Sequence, residues 1–280
     1  MVRISVIIPT RNRAADLTRC LAGLVESVEH LAVWRPDAHL HEVVIVDDAS
    51  DAPREIERVA HRATEDGLAV SMLRNARRRG AGASRERAAA EATGDVLAFL
   101  DDDAVPRGDW LSVVGGLDRE RPAVTGRVFP FDRGLVSAAR QARYDARYDV
   151  LDDGAPVEFF AGGNSAVLTD SFTVVGGFSR SGVGGDNSLA EALAEHGTPV
   201  RFDSNLVIVH RNGKGFRQAV LDSWAAGLHH PKPISMRAAA RMSASSAVGA
   251  RRGVREVNRL LGIVHAAARL VPRIAVREGE

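Results

Sequence analysis

The residues best equipped for chemistry are three consecutive carboxylates, Asp101, Asp102 and Asp103. They follow directly on the apolar run Val96-Leu97-Ala98-Phe99-Leu100. The run is short, β-prone and ends in a polar cluster, so it predicts a buried strand with the acids where that strand emerges. In open α/β sheets this edge is where ligands bind. Adjacent carboxylates repel one another unless a cation offsets them. Successive strand residues point to opposite faces, so Asp101 and Asp103 share a side that Asp102 does not. Two hard oxygen ligands on one side suit Mg²⁺ or Mn²⁺, with a substrate's phosphates completing the octahedron. A solvated acidic turn after a core strand is the plainer reading of the same residues.

The elements that would position these acids alternate. Arg3–Pro9 reads as a first buried strand, followed by the polar loop Thr10-Arg11-Asn12-Arg13. Leu17, Leu21, Leu24, Val25 and Val28 keep helical spacing over Asp16–Val28. Residues 29–41, with Trp34, Pro36 and three histidines, read as a loop. The irregular spacing of His30, His39 and His41 predicts surface histidines rather than metal ligands. Glu42–Val46 is a second strand that also ends in acids, Asp47 and Asp48. A helix from Pro53 to Asp66, a strand Ala69–Leu73, a basic glycine-containing loop Asn75–Ala83 and a helix Ser84–Ala92 lead to the acidic strand. The loop lacks the Gly-Lys-Ser/Thr ending of a P-loop. This alternation through residue 103 predicts a mostly parallel, doubly wound sheet. Two strands ending in acids at one edge predict a site for a charged ligand.

The second half is less regular. Trp110–Leu117 and Leu135–Tyr148 read as helices, Ala123–Phe129 and Ser165–Leu168 as strands. A glycine-rich loop, Gly182–Gly185, delivers Asp186 before a helix Leu189–His196. Val200–Phe202 and Leu206–Val209 read as two strands, the second ending at His210. Between Val254 and Ile274 apolar residues at helical spacing are crowded by arginines, with Pro272 ending or kinking the helix. Such a basic amphipathic helix either lies on an anionic membrane or packs its stripe on the main domain or a second subunit.

Composition bounds the rest. The 280 residues allow one large domain, or a domain with an appendage. The single cysteine, Cys20, excludes an internal disulfide framework or a zinc–thiolate cluster and fits a reducing cytoplasm. The apolar run Ile4–Ile8 stops at Pro9, too short for a signal core, and no other run reaches the roughly 20 residues of a spanning helix. A cytoplasmic location, peripheral at the membrane at most, is the expectation. The formal charge of +1 is uneven: from Arg201 onward there are 14 Lys and Arg against 5 Asp and Glu, and before it 23 against 31. Nucleic acid is not the expected partner, because no aromatic interleaving accompanies the arginines.

Seven short motifs in order resemble the family 2 glycosyltransferases, inverting nucleotide-sugar enzymes of the GT-A (Rossmann-like) fold. They are SVIIPTRNR from Ser5, VIVDDAS from Val44, GASRERAAAEATGDVLAFLDDD from Gly82, FFAGGNSAV from Phe159, VGGFS from Val175, GGDNSL from Gly184 and VIVHR from Val207. The resemblance runs from about Ile4 to His210. It implies a mixed, mostly parallel sheet flanked by helices, with a basic helical tail. It divides the chain into a glycosyltransferase domain over 1–230 (nucleotide half 1–103, acceptor half 104–230) and an extension over 231–280. By resemblance, Pro9, Thr10 and Arg11 line the base pocket, and Asp47 and Asp48 accept a hydrogen bond from the base, usually uracil. Arg85 lies near the base. Asp101 and Asp103 hold Mn²⁺ or Mg²⁺ on the diphosphate, Asp102 borders the ribose, and His210 completes the metal site. Gly163 and Asn164 lie beside the sugar or acceptor, and Asp186 is the general base.

The implied reaction is chemically coherent. Displacing a nucleoside diphosphate builds negative charge on the leaving phosphates, which a divalent ion stabilises as a Lewis acid. An acceptor hydroxyl needs a carboxylate to take its proton as the bond forms. Asp186 also suits an N-cap, and both roles can hold at once. Two departures from the family pattern stand out: Gly185 replaces a glutamate before the base, and Ser188 replaces a second acid. The expected function is therefore transfer from a nucleotide sugar, a UDP-sugar first, to a lipid carrier, a glycan or a small natural product. The alternative is a catalytically reduced nucleotide-sugar-binding or scaffold protein of the same fold. A nucleotidyltransferase would need glycines after the first strand that Thr10–Arg13 lacks. The tail is left as a peripheral membrane contact or a homodimer contact.

Overall fold

The computed structural model describes residues 1–178, 185–211, 215–228 and 234–271, the side chains of 185–187 excepted. The elements in order are β1 (Val2–Thr10), α1 (Ala14–Trp34), β2 (Ala38–Asp47), α2 (Pro53–Glu65), β3 (Val70–Arg74), α3 (Ala81–Glu91), β4 (Val96–Leu100), β5 (Ala104–Pro106) and α4 (Trp110–Val114). There follow β6 (Ala123–Pro130), α5 (Leu135–Tyr148), β7 (Asn164–Leu168), α6 (Thr169–Val174), α7 (Gly185–Glu195), β8 (Arg201–His210), α8 (Phe216–Leu228), α9 (Met236–Ser245) and α10 (Arg252–Leu270). They form two compact units, one of residues 1–129 and 151–210, the other of 130–150 and 211–280.

The first unit holds an eight-stranded sheet in the order β3-β2-β1-β4-β7-β6-β8-β5. β1 pairs parallel with β2 and β4, and β2 with β3, as the alternating first half predicts. Beyond β4 the sheet turns antiparallel, with β4 paired to β7, β7 to β6, and β5 to β8. β4 is buried along its whole length, Val96 to Leu100, because helices and aromatic side chains cover it. Phe99 packs edge-on against Phe160 and Phe178, and Phe172 joins them, so four of the nine phenylalanines gather behind the acidic strand. Such edge-to-face contacts fit the ring quadrupoles.

Several expected boundaries move for local reasons. The loop expected over 29–41 is mostly helix and strand. Leu31, buried at 2% exposure, extends the stripe of α1 by another turn, and β2 begins at Ala38. The two strands expected on either side of residue 204 are one, β8. The polar Asp203-Ser204-Asn205 reads as a turn, but Asp203 is buried against Arg121 at 2.5 Å and the strand runs through. The three-residue β5 and the helices α8 and α9 lie where the sequence prompted no element. α10 ends at Leu270, ahead of Pro272, as the proline requires.

The second unit is helical. Val254, Val257 and Leu261 of α10 are buried with Ala139 of α5 and Ala219 of α8. Asn258, fully buried, donates to the carbonyls of Ala139 and Val248 and ties α10 to α5. Part of the apolar stripe of the tail thus packs within its own unit. Among the described residues no helix is long and apolar enough to cross a membrane.

Candidate active site

Strand register decides which chemistry meets at the sheet edge. β1 and β2 end level, Thr10 beside Asp47, and β4 ends next to them at Leu100. β5 then turns Ala104 opposite His210 of β8. This pairing carries the His210 imidazole to the loop of acids, and its Nε2 lies 3.0 Å from Asp103 Oδ1. Asp101, Asp103 and His210 each offer a ligand atom within 4.8 Å of the others, the one such cluster found among the described residues.

Two arginines balance the three acids. Arg85 of α3, itself buried, donates to Asp101 Oδ1 at 2.6 Å. Arg13, in the loop before α1, bridges Asp102 Oδ1 at 2.9 Å and Asp103 Oδ2 at 2.7 Å. The other oxygen of Asp102 accepts the Thr10 hydroxyl at 2.8 Å. Burial pushes the Asp102 carboxyl up to about 6, against the lowering influence of Arg13 and Thr10. Asp102 therefore joins the β1 loop to the β4 loop, with both oxygens engaged. Cys20 sits beneath, its thiol 3.6 Å from the Asp101 carbonyl. Burial first, then the nearby carboxylates, push that thiol well up from its ordinary range.

The acids of β2 are also spoken for. Asp47 is buried, accepts the Ser50 amide at 2.9 Å and pairs with Arg74 of β3. Asp48 receives the Asn75 side chain and the backbone amides of Arg79 and Gly80, each at 2.8 Å. Burial opposes its ionised form. These hydrogen bonds and Arg78 outweigh that and hold the carboxyl below its usual range. The loop of residues 75–80 is thus gathered around one carboxylate. The β1 and β2 loops clasp each other through Asn12 and Asp51, which exchange hydrogen bonds of 2.7 and 2.8 Å. Asn12 and Ala49 adopt positive φ at this crossing, a conformation that asparagine tolerates better than alanine. Pro9 and Thr10 are buried here, and Arg11 reaches the Ala49 carbonyl.

Gly163 and Asn164 reach the site by different means. A Cβ on Gly163 would overlap the Asp101 carboxylate, so only glycine lets the β7 approach and the acid coexist. Asn164 is 1% exposed, and its amide is consumed by the protein. It accepts from the Trp110 indole at 2.8 Å and donates to the carbonyls of Arg127 and Leu206. Asp186 occupies the second position of α7, and its side chain lies outside the described residues. His30 and His41 are apart from the acids, bonded to Ser112 and Thr93. The partners that the sequence reading missed are Arg13, Arg74 and Asn75.

Two carboxylates and an imidazole form a donor set that fits Mg²⁺ or Mn²⁺. Adjacent ligands around such an ion stand roughly 3 Å apart and opposite ones about 4 Å, from bonds of about 2.1 Å. The three ligand atoms all lie within 4.8 Å of one another, so small side-chain adjustment brings them to such spacings.

A parallel-to-antiparallel sheet with acids at the end of its central strand is the architecture of nucleotide-sugar transferases of the GT-A type. The sequence model of Glycosyl transferase family 2 matches residues 5–176, and the chain belongs to that family. It is 28% identical over 219 residues to the pre-mycofactocin glycosyltransferase of Mycobacterium tuberculosis, a match covering 74% of this chain and 42% of the relative. The chain thus spans less than half the length of that curated relative. The mannosyltransferase PcManGT of Pyrobaculum calidifontis, solved with GDP-Man and Mn²⁺, superposes with a TM-score of 0.59 at 25% identity. That match covers 96% of this chain and 74% of the other. GalNAc-T7, solved with UDP, GalNAc and Mn²⁺, shares the fold at a TM-score of 0.59 and 17% identity, over 77% of this chain and 44% of its own.

Proposed function

We propose that this chain is a divalent-metal-dependent, inverting glycosyltransferase that moves a sugar from a UDP-sugar to an acceptor hydroxyl. The observation that carries the reading is the convergence of Asp101, Asp103 and His210 at the sheet edge beside the Thr10 and Asp47 loops. Asp101, Asp103 and His210 would hold the ion, which when bound would supply Lewis-acid stabilisation of a leaving diphosphate. Arg85 and Arg13 keep these acids in place and add positive charge where the phosphates lie. Pro9, Thr10 and Arg11 line the base pocket, and Asp47 accepts the N–H of the base. Asp48, with its oxygens committed to residues 75–80, shapes the pocket wall. Asp102 acts as a strut between two loops, and Asn164 as a strut beneath Gly163. Asp186 takes the acceptor proton at the start of α7, and direct displacement with that base inverts the anomeric centre.

A GDP-sugar is the second donor reading. PcManGT, which matches nearly the whole chain, was solved with GDP-Man. Mass-spectrometric detection of UDP or GDP released from a set of nucleotide sugars, with Mn²⁺ and candidate acceptors, tests both. Asp103→Ala and Asp186→Ala should each lower transfer at least a hundredfold while the fold is kept. Folded variants with full transfer rates would overturn the site assignment. Donor binding without transfer or hydrolysis would favour the reduced scaffold.

A further inference from the structure

α10 carries a second apolar stripe besides its buried one. Leu260, Ile263 and Ala267 recur at i, i+3 and i+7, on one side of a helix that turns 100° per residue, and Val271 follows just past its end. Leu260, Ile263 and Val271 are 42–45% exposed. α8 repeats the pattern: Ala219 and Gly227 face α10, while Leu221, Trp224 and Leu228 at i, i+3 and i+7 remain 39–49% exposed. The two helices run in the same direction. Ala219 shares a cluster with Val257 and Leu261, and eight residues on, a Cβ at Gly227 would overlap the His265 carbonyl, with Ala268 beside it. With these contact phases both exposed stripes emerge on one side of the pair. α9, whose Ser243 and Ser246 lie against Gly262, packs on another side of α10. Arg217 precedes Leu221 by one turn and Arg259 flanks the α10 face, both exposed, while Arg252 is paired with Glu256 at 2.9 Å.

We propose that this α8–α10 face docks on an anionic lipid bilayer. Exposed aliphatic side chains with a central tryptophan and flanking arginines have the amphipathy of an interfacial surface, the apolar part entering the acyl boundary and the guanidinium groups meeting lipid phosphates. The charge of the unit fits: residues 130–150 and 211–280 hold 17 Lys and Arg against 7 Asp and Glu. A second copy is the poorer occupant, because a two-fold contact would set this cationic patch against itself.

Co-sedimentation of the full chain with phosphatidylcholine vesicles, with and without a third of phosphatidylglycerol, tests it. Binding should be at least tenfold stronger to the anionic vesicles and should weaken with salt. Leu221→Ser with Trp224→Ser should lose about tenfold or more, and Arg217→Glu with Arg259→Glu should abolish the anionic preference. These side chains are exposed, and unchanged melting temperatures would separate lost docking from lost fold. Should the serine pair fail to fold, the arginine pair alone decides. Absence of vesicle binding, or equal binding to both vesicle types, would overturn the proposal. So would a dimer in light scattering that the serine pair dissolves, since the face would then be a self-contact.

Discussion

Arg13 has one guanidinium nitrogen on two carboxylates, and its loss would leave Asp102 with a single neutral donor. Breaking a fully buried pair costs roughly 3–5 kcal/mol, but Arg13 is 40% exposed and solvent screens it. Arg13→Ala should therefore cost about 1–2 kcal/mol in denaturant unfolding, and adding Asp102→Asn should recover most of that. Simple addition of the two losses would show that the pair is uncoupled. Asp48 makes a pH prediction. Its carboxyl is held below its usual range in the fold, so its stabilisation is complete above the unfolded value of about 3.9 and is lost as pH falls through the folded value. The stability gap between the wild type and Asp48→Asn should be widest near neutral pH and shrink in acid; a gap independent of pH would remove Asp48 from that role. At this scale the sequence was informative where chemistry was contiguous. Asp101 and Asp103 announced themselves by following an apolar run. The partners of Asp48 and Asp102 did not, because Asn75, Arg79 and Arg13 reach them only through tertiary loops.

Elements deliver the residues that the sequence alone could not join. His210 came from resemblance, and the physical link is a three-residue strand, β5, too short to leave a periodic signal. α1 outran its expected end because Trp34 and Pro36 suggested a loop while Leu31 continued the stripe. α8 and α9 escaped notice because small residues, Ala219, Gly227 and Ala239, make their buried contacts and blur the apolar period. The approach of β7 to β4 makes the sharpest element-scale prediction. Gly163→Ala inserts a methyl group into the Asp101 carboxylate and must displace it. The variant should bind Mn²⁺ at least tenfold more weakly in titration calorimetry with UDP present, and unchanged affinity would show that Asp101 is not held by this contact.

Across the whole molecule, the unit of residues 1–129 and 151–210 carries the sheet and its metal-type cluster, and the basic unit of 130–150 and 211–280 carries helices with an outward apolar face. The parallel half was legible because each buried strand is a continuous apolar run between helices of clear period. The antiparallel half was less so, since its strands alternate with short helices and one of them, β8, runs through polar residues where Asp203 is paired with Arg121. In the proposed function, one edge of this sheet binds a nucleoside diphosphate through a divalent ion. Thermal unfolding with UDP, GDP, dTDP, ADP and CDP, each with and without Mn²⁺, tests it most directly in the wild type and in Asp103→Ala. A ligand that binds only the folded state raises the melting temperature with its occupancy. A rise for UDP that requires Mn²⁺ and disappears in Asp103→Ala is the predicted result. Nucleotide binding indifferent to Mn²⁺, or retained in full by the variant, would contradict the account.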